Sequence, residues 1–307
     1  MGLRARGSLL VLGLFLLGLC GAAATDRLRV VSTTTIVGDV IRRIGGENID
    51  LHVILPVGAD PHGYTLTPQD LVAVSDADLT FMNGAGLEAG WENLLSYARG
   101  RVISLSDGLP LVELDGETDH GVNDDEHEEE GTSDPHVWFD PTLVQTWSWK
   151  IREALSEIDP GHGDDYAARE AELAADLAAL DGWIVARVEE IPVERRVLVT
   201  DHLAFGYFAR RYGFRQIGAV IPGFSTLAEP SAREMAALID AVRAADAPAV
   251  FVGTTANPTL SATVAGETGT RLVALFTGSL SGPGEGAETY LEMMRTNVER
   301  IAAALTE

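Results

Sequence analysis

The chain has 307 residues, about twice the length of a typical domain, and this length favours two domains or two lobes. Its 46% apolar and 22% charged residues are typical of a globular protein and exclude global disorder, collagen-like repeats and a multispanning membrane protein. The 46 acidic side chains outnumber 22 basic ones and give a formal net charge of -24, which repels nucleic-acid phosphates and anionic lipids. We therefore expect cations as ligands and no nucleic-acid partner.

Residues 1–24 have the pattern of a secretory signal peptide. Two arginines precede an apolar run of 11 residues, 9–19, which is too short to cross a hydrocarbon core of about 30 Å as a helix. Small residues at 22–24 fit peptidase cleavage, whereas Leu17-Gly18-Leu19-Cys20-Gly21 is similar to a lipoprotein box, although Leu19 is larger than the residue usual there. We expect the mature chain outside the cytoplasm, in the periplasm or at the cell surface, either unanchored or lipid-anchored at Cys20.

From residue 27 onward, short β-branched runs alternate with segments of helical periodicity. This alternation is typical of βα units around a mostly parallel sheet. The fold class is therefore predicted as α/β. The predicted strands are 27–32, 49–55, 79–83, 102–104, 196–200, 249–252 and 272–276.

Residues 164–191 differ from the rest because they lack proline, are rich in Ala, Glu and Arg, and carry apolar residues at spacings of three and four. They predict one long helix that spans about 40 Å at about 1.5 Å per residue, enough to run along both lobes as a stiff connector. The predicted organisation is an N-terminal lobe at 25–162, the connecting helix at 163–191 and a C-terminal lobe at 192–307.

An acidic loop, 115–133, interrupts the N-terminal lobe. Its residues 115–130 contain nine acids, no bases, and His120 and His127, and this charge predicts a mobile segment. Two interpretations stay open. The loop is either a solvated spacer or a weak collector of divalent cations.

Three histidine motifs carry the chemistry, in a chain whose single cysteine, Cys20, cannot build a cysteine metal cluster. They are Asp60-Pro61-His62, Asp134-Pro135-His136 and Asp201-His202. The first and third follow predicted strands, at the edge where open α/β sheets bind ligands, and the second lies in a loop that could adjoin them. A lone histidine is usually a core or capping residue, but three such motifs favour a metal site. The preceding aspartates either point away from the histidines, as sequence neighbours often do, or orient the imidazoles as hydrogen-bond partners. His52, on a strand, and His162, in a turn, are not expected to be ligands.

Six segments together carry a resemblance to a known family: Val30-Val31-Ser32-Thr33-Thr34, Gly58-Ala59-Asp60-Pro61-His62-Gly63-Tyr64, Ser75-Asp76-Ala77-Asp78-Leu79, Asn83-Gly84-Ala85-Gly86-Leu87-Glu88, Asp134-Pro135-His136-Val137-Trp138 and Asp201-His202-Leu203-Ala204-Phe205. From about Arg29 to the C-terminus the chain resembles the zinc/manganese solute-binding proteins of bacterial ABC importers (cluster A-I, zinc-uptake type). The resemblance implies two pseudo-symmetric βα lobes with mostly parallel sheets, a long rigid backbone helix and a metal in the interlobe cleft.

The resemblance also implies ligands. His62 and His136 match the two N-terminal imidazole ligands, and His202 matches the first C-terminal ligand, which is a glutamate in manganese-binding relatives. An imidazole at that position favours zinc, because three nitrogen donors suit zinc better than the oxygen-preferring manganese.

One position departs from the family. Gly278, in the loop after the last predicted strand, stands where the family supplies an aspartate as fourth ligand. We expect water or a carboxylate of the acidic loop to complete the site, and we expect Gly278→Asp to restore the protein ligand. Three histidines with an open position also characterise catalytic zinc, which keeps a zinc-dependent hydrolase as a hypothesis. The chain has no His-Glu-x-x-His helix and no nucleophile elbow to support it.

The preferred hypothesis is a non-enzymatic, monomeric, extracytoplasmic protein that captures Zn²⁺ as transported ligand and delivers it to an ABC permease with its ATPase subunit. A zinc metallochaperone is a further expected partner, and the only expected membrane contact is the lipid anchor. The alternatives are a manganese-binding homologue, the zinc-dependent hydrolase and an adhesin.

Overall fold

The computed structural model describes Gly2, 27–113 and 133–306. The signal peptide, apart from Gly2, and the acidic segment with His120 and His127 lie outside the described residues. The strands are β1 Leu28–Ser32, β2 Ile49–Val53, β3 Leu79–Met82, β4 Arg101–Ser104, β5 Val197–Thr200, β6 Arg215–Ala219, β7 Ala249–Gly253 and β8 Arg271–Leu275. The helices are α1 Thr35–Gly45, α2 Pro68–Asp76, α3 Glu92–Leu95, α4 Pro141–Ile158, α5 Gly163–Glu189, α6 Gly206–Tyr212, α7 Ala232–Ala244, α8 Thr259–Thr268 and α9 Tyr290–Thr306.

Two parallel four-stranded sheets form the two lobes. Their strand orders, β2-β1-β3-β4 and β6-β5-β7-β8, are the same topology repeated along the chain. All seven predicted strands are present within about two residues of their predicted ends. The carboxyl ends of β1, β2 and β3 in one sheet, and of β5 and β8 in the other, lead into the loops that line the cleft.

Strand β6 was not predicted from the sequence. It is an edge strand that is exposed at Arg215 and only partly buried at the following residues, and the ladder with β5 shifts register between Leu198 and Val199. Because an edge strand with polar and glycine residues lacks the buried β-branched run of a central strand, its sequence carries little strand signal.

Helix α5 connects the lobes as predicted for 164–191. Its apolar stripe is buried, and it packs against α1 and α4 on one side and α9 on the other. Two aspartates in its first turn complement the positive end of the helix dipole. One apolar core cluster joins both lobes through this helix, with Val30 of β1, Leu177 of α5 and Phe251 of β7 among its members. A core shared in this way opposes large separation of the lobes, because separation would expose apolar surface to water.

None of the helices in the described ranges has both the length and the apolar composition needed to cross a bilayer.

Candidate metal site

His62 lies in the loop that follows β2, and the aspartate before it fixes the loop. Asp60 Oδ1 accepts a hydrogen bond from the His62 backbone N at 3.0 Å, which closes an Asx-turn across Pro61. Asp60 Oδ2 accepts a second one from Thr226 Oγ1 of the C-terminal lobe at 2.5 Å. Of the two alternatives that the sequence leaves open for Asp60, the structure has the carboxylate on the His62 backbone and on the other side of the cleft.

His136 occupies the same local structure in the second loop, which explains why Asp-Pro-His recurs. Asp134 Oδ1 accepts a hydrogen bond from the His136 backbone N at 2.9 Å and also lies 2.8 Å from His136 Nδ1. Asn83 Nδ2 donates to the Pro135 carbonyl at 2.9 Å, and Tyr207 Oη of the C-terminal lobe donates to the Asp134 carbonyl at 2.8 Å. Both sides of the cleft therefore hold this buried loop in place.

His202 follows β5 at the carboxyl end of the C-terminal sheet. Asp201 Oδ1 lies 3.1 Å from His202 Nδ1, and Asp201 Oδ2 accepts a hydrogen bond from the Gly253 backbone N of β7 at 3.0 Å. Asp134 therefore orients its imidazole through a hydrogen bond, whereas Asp201 lies beside the His202 ring without one.

The three rings converge across the cleft. The His136 Nε2 atom lies 3.2 Å from His62 Nε2 and 3.1 Å from His202 Nε2. Tetrahedral zinc with bonds of about 2.0–2.1 Å holds its nitrogen ligands about 3.3 Å apart, close to these separations. Asp134 Oδ1 faces His136 Nδ1 and favours the proton there, which leaves the Nε2 lone pair of His136 free to bind a cation.

Burial favours the neutral form of the His62 and His136 imidazoles, which is the form that binds metal. Burial, with the nearby His136 and His202 rings, lowers the pKa of His62 to about 3. Burial also lowers the pKa of His136 well below its usual value, and it raises the pKa of Asp134 to about 7. Burial acts to raise the pKa of Asp201 as well, but the His202 ring and the Gly253 N–H outweigh it, so that pKa is lowered.

We expect metal binding to persist to lower pH than at a site of exposed histidines. Free histidine gains its proton near about pH 6.5. Because the pKa values of His62 and His136 are lowered, protons compete with the metal for these imidazoles only in more acidic solution. Competition titrations with zinc at about pH 7, 6 and 5 check this, with an exposed polyhistidine peptide as control. An affinity loss that parallels that of the peptide would contradict the expectation.

Among the described residues, no fourth His, Cys, Asp or Glu side chain joins the cluster. Within these ranges, the His, Cys, Asp and Glu side chains whose ligand atoms all lie within 4.8 Å of one another are His62, His136 and His202. At Gly278, a Cβ would lie 2.6 Å from Pro61 Cδ. Restoration of a ligand by Gly278→Asp stays a prediction, and the packing adds the condition that the Pro61 loop must move to make room for the side chain.

The remaining described histidines lie apart from this cluster. His52 is exposed on β2, as predicted. His162 ends a short 3₁₀ turn, where its Nδ1 lies 2.7 Å from Asp159 Oδ2.

Three supporting residues were not singled out from the sequence. Tyr207 lies within the segment 200–208 that carries the third histidine motif, and Asn83 lies in one of the six segments that resemble the family, so a sequence signal existed for both. Thr226 belongs to no motif, and only the fold brings its hydroxyl to Asp60.

The sequence profile of the ZnuA family, described as "Zinc-uptake complex component A periplasmic", matches residues 30–304. The manganese-binding lipoprotein MntA of Halalkalibacterium halodurans is 34% identical over 299 residues, which cover 94% of this chain and 94% of the relative. The manganese ABC transporter substrate-binding lipoprotein PsaA of Streptococcus pneumoniae is 31% identical, with 98% of this chain and 99% of the relative covered.

Solved structures share the fold. The periplasmic zinc-binding protein TroA of Treponema pallidum matches with a TM-score of 0.81 and 29% identity over 92% of this chain and 100% of that chain. A manganese-bound mutant of a periplasmic metal-binding protein from Candidatus Liberibacter asiaticus matches with a TM-score of 0.80 and 25% identity over 91% of this chain and 100% of that chain.

The two-lobed fold and these relatives define the class of protein. It is an extracytoplasmic, metal-binding substrate-binding protein of an ABC transporter, and it is not an enzyme. The chain belongs to the zinc-uptake complex component A family. The predicted family and fold class are confirmed, and the hydrolase hypothesis is wrong.

Proposed function

We propose that this protein captures one Zn²⁺ ion with His62, His136 and His202 and delivers it to the permease of an ABC importer that an ATPase subunit drives. The proposal rests on the three imidazoles, whose ligand atoms lie within 4.8 Å of one another, with His136 Nε2 at 3.2 and 3.1 Å from the Nε2 atoms of His62 and His202. In the proposed division of the chain, the N-terminal lobe, 25–162, supplies two ligands and the C-terminal lobe, 192–307, supplies the third. The ion then bridges the lobes, and water takes the fourth position.

The donor set supports zinc. Three neutral imidazoles suit Zn²⁺, whereas Mn²⁺ prefers carboxylate, carbonyl and water oxygens. The two nearest carboxylates, Asp134 and Asp201, face the Nδ1 side of their imidazoles, away from the point where the Nε2 atoms meet.

Manganese transport is the second candidate, and the names of the relatives favour it. MntA and PsaA are named for manganese, at 34% and 31% identity. The family description and the TroA structure name zinc. The comparisons therefore support both metals, and the choice of zinc rests on the donor set.

We expect the ratio of zinc to manganese affinity to be set by the imidazole at position 202. Zn²⁺ binds more tightly than Mn²⁺ at almost any nitrogen or oxygen site. A higher affinity for zinc therefore does not by itself identify zinc as the transported metal. The sharper comparison is with His202→Glu, which offers an oxygen donor at the same position. Chelator-competition titrations should give a larger zinc-to-manganese ratio for the wild type than for the variant. Equal ratios, or manganese bound as tightly as zinc, would overturn the zinc assignment.

The names of the relatives also bear on the membrane anchor. MntA and PsaA are named as lipoproteins, which supports lipidation of Cys20 over plain cleavage at 22–24. We expect labelled palmitate to be incorporated in cells that express the chain and to be lost in Cys20→Ser. Equal labelling of the two proteins, or none in either, would favour the unanchored form.

A further inference from the structure

We propose that Gly206 and Gly278 of the C-terminal lobe are positioning residues on which the two histidine loops of the N-terminal lobe close. The inference rests on the proposed three-histidine site. It attributes the high zinc affinity of that site to close packing at these two positions, where the cleft has no room for a Cβ atom.

Gly206 opposes the loop of His136. A Cβ atom on Gly206 would lie 2.5 Å from Asp134 Oδ2 and 3.3 Å from Val112 Cγ1. Asp134 is fully buried, and its other carboxylate oxygen contacts both the backbone N and the ring of His136. The carboxylate therefore cannot turn away from a new methyl group without releasing the imidazole that it orients.

Gly278 opposes the loop of His62. A Cβ atom there would lie 2.6 Å from Pro61 Cδ and 3.0 Å from Pro61 Cγ. The proline ring is closed onto its own backbone N, so it yields only if the loop moves, and His62 is the next residue. The neighbouring hydrogen bond from Gly58 N to Ser279 Oγ, at 2.8 Å, holds the two loops together.

Space, rather than backbone conformation, requires glycine at both positions. Neither Gly206 nor Gly278 is among the glycines with positive φ, so alanine fits the local backbone. Carbon atoms pack at about 3.5–4.0 Å, so each added methyl group would displace its loop by about 1 Å. Functional constellations tolerate about 0.5 Å, and the displacement therefore exceeds what the metal geometry allows.

The test compares zinc affinity, by chelator competition, in the wild type, Gly206→Ala, Gly278→Ala and Gly223→Ala. Gly223 is the matched control, because it lies in a loop beside His202 and a Cβ there would meet nothing within 4 Å. We expect losses of at least about 10-fold for the first two variants, the scale of losing an orienting partner, and none for Gly223→Ala. Zinc-edge X-ray absorption should show fewer imidazole ligands in the first two, which a general loss of stability would not produce.

A rescue variant distinguishes the proposed steric clash from misfolding of Gly278→Ala. Pro61→Ala removes the two ring carbons that the methyl group of Gly278→Ala would strike, so the double variant should bind zinc more tightly than Gly278→Ala alone. Wild-type affinity in both glycine variants, or no rescue, would overturn the inference. His136→Ala is measured in parallel, because wild-type binding by that variant would refute the proposed site itself instead.

Discussion

Replacing His136 with alanine is expected to weaken zinc binding by more than about 100-fold. Loss of a residue that only orients a ligand typically weakens metal binding by about 10- to 100-fold, and loss of the ligand itself should cost more. The His136 Nε2 atom lies 3.2 and 3.1 Å from those of His62 and His202, so its removal takes one of three nitrogen donors from the site. His62→Ala and His202→Ala should each have an effect of the same order. Chelator competition and native mass spectrometry measure the loss.

His52→Ala and His162→Ala are the matched controls, because both remove an imidazole away from the cluster. They should keep wild-type affinity and the single tight zinc. If one of the three cluster variants behaves like these controls, that residue is not a ligand.

Asp134→Asn and Asp201→Asn are expected to weaken zinc binding by about 10- to 100-fold each, with the histidines intact. The carboxylates lie 2.8 and 3.1 Å from the Nδ1 atoms of His136 and His202. Asp134 holds its ring with the Nε2 lone pair toward the metal, and the negative charge of both carboxylates makes the imidazoles stronger donors. An amide of the same shape keeps the packing and removes the charge.

The chain contains its own control for this experiment. Asp159 makes an equivalent contact, 2.7 Å from Nδ1 of His162, outside the cluster. Asp159→Asn should therefore leave zinc affinity unchanged. Equal losses from all three substitutions would show that general destabilisation, rather than orientation of the ligands, causes the effect, and thermal unfolding of the metal-free variants would measure it.

The sequence by itself determined the architecture. Central strands such as β1 and β7 are buried on both faces, so their β-branched runs identify them without any tertiary information. The helix α5 is likewise encoded locally, since its apolar stripe recurs at helical spacing for 27 residues. The three histidines could be selected because each stands beside an aspartate in a loop that proline or a strand end makes rigid.

Tertiary structure alone decided what lies across the cleft. Asp60 and Asp134 precede histidines in the same Asp-Pro-His pattern and form the same turn, yet only Asp134 faces its imidazole, while Asp60 contacts Thr226 of the other lobe. Gly278 looks like a missing ligand in the sequence, but in the fold it leaves room for Pro61. The contacts of Asp60 with Thr226 and of Gly278 with Pro61 join residues more than a hundred positions apart. Local patterns encode which face an element buries but not which atoms a distant loop brings against it.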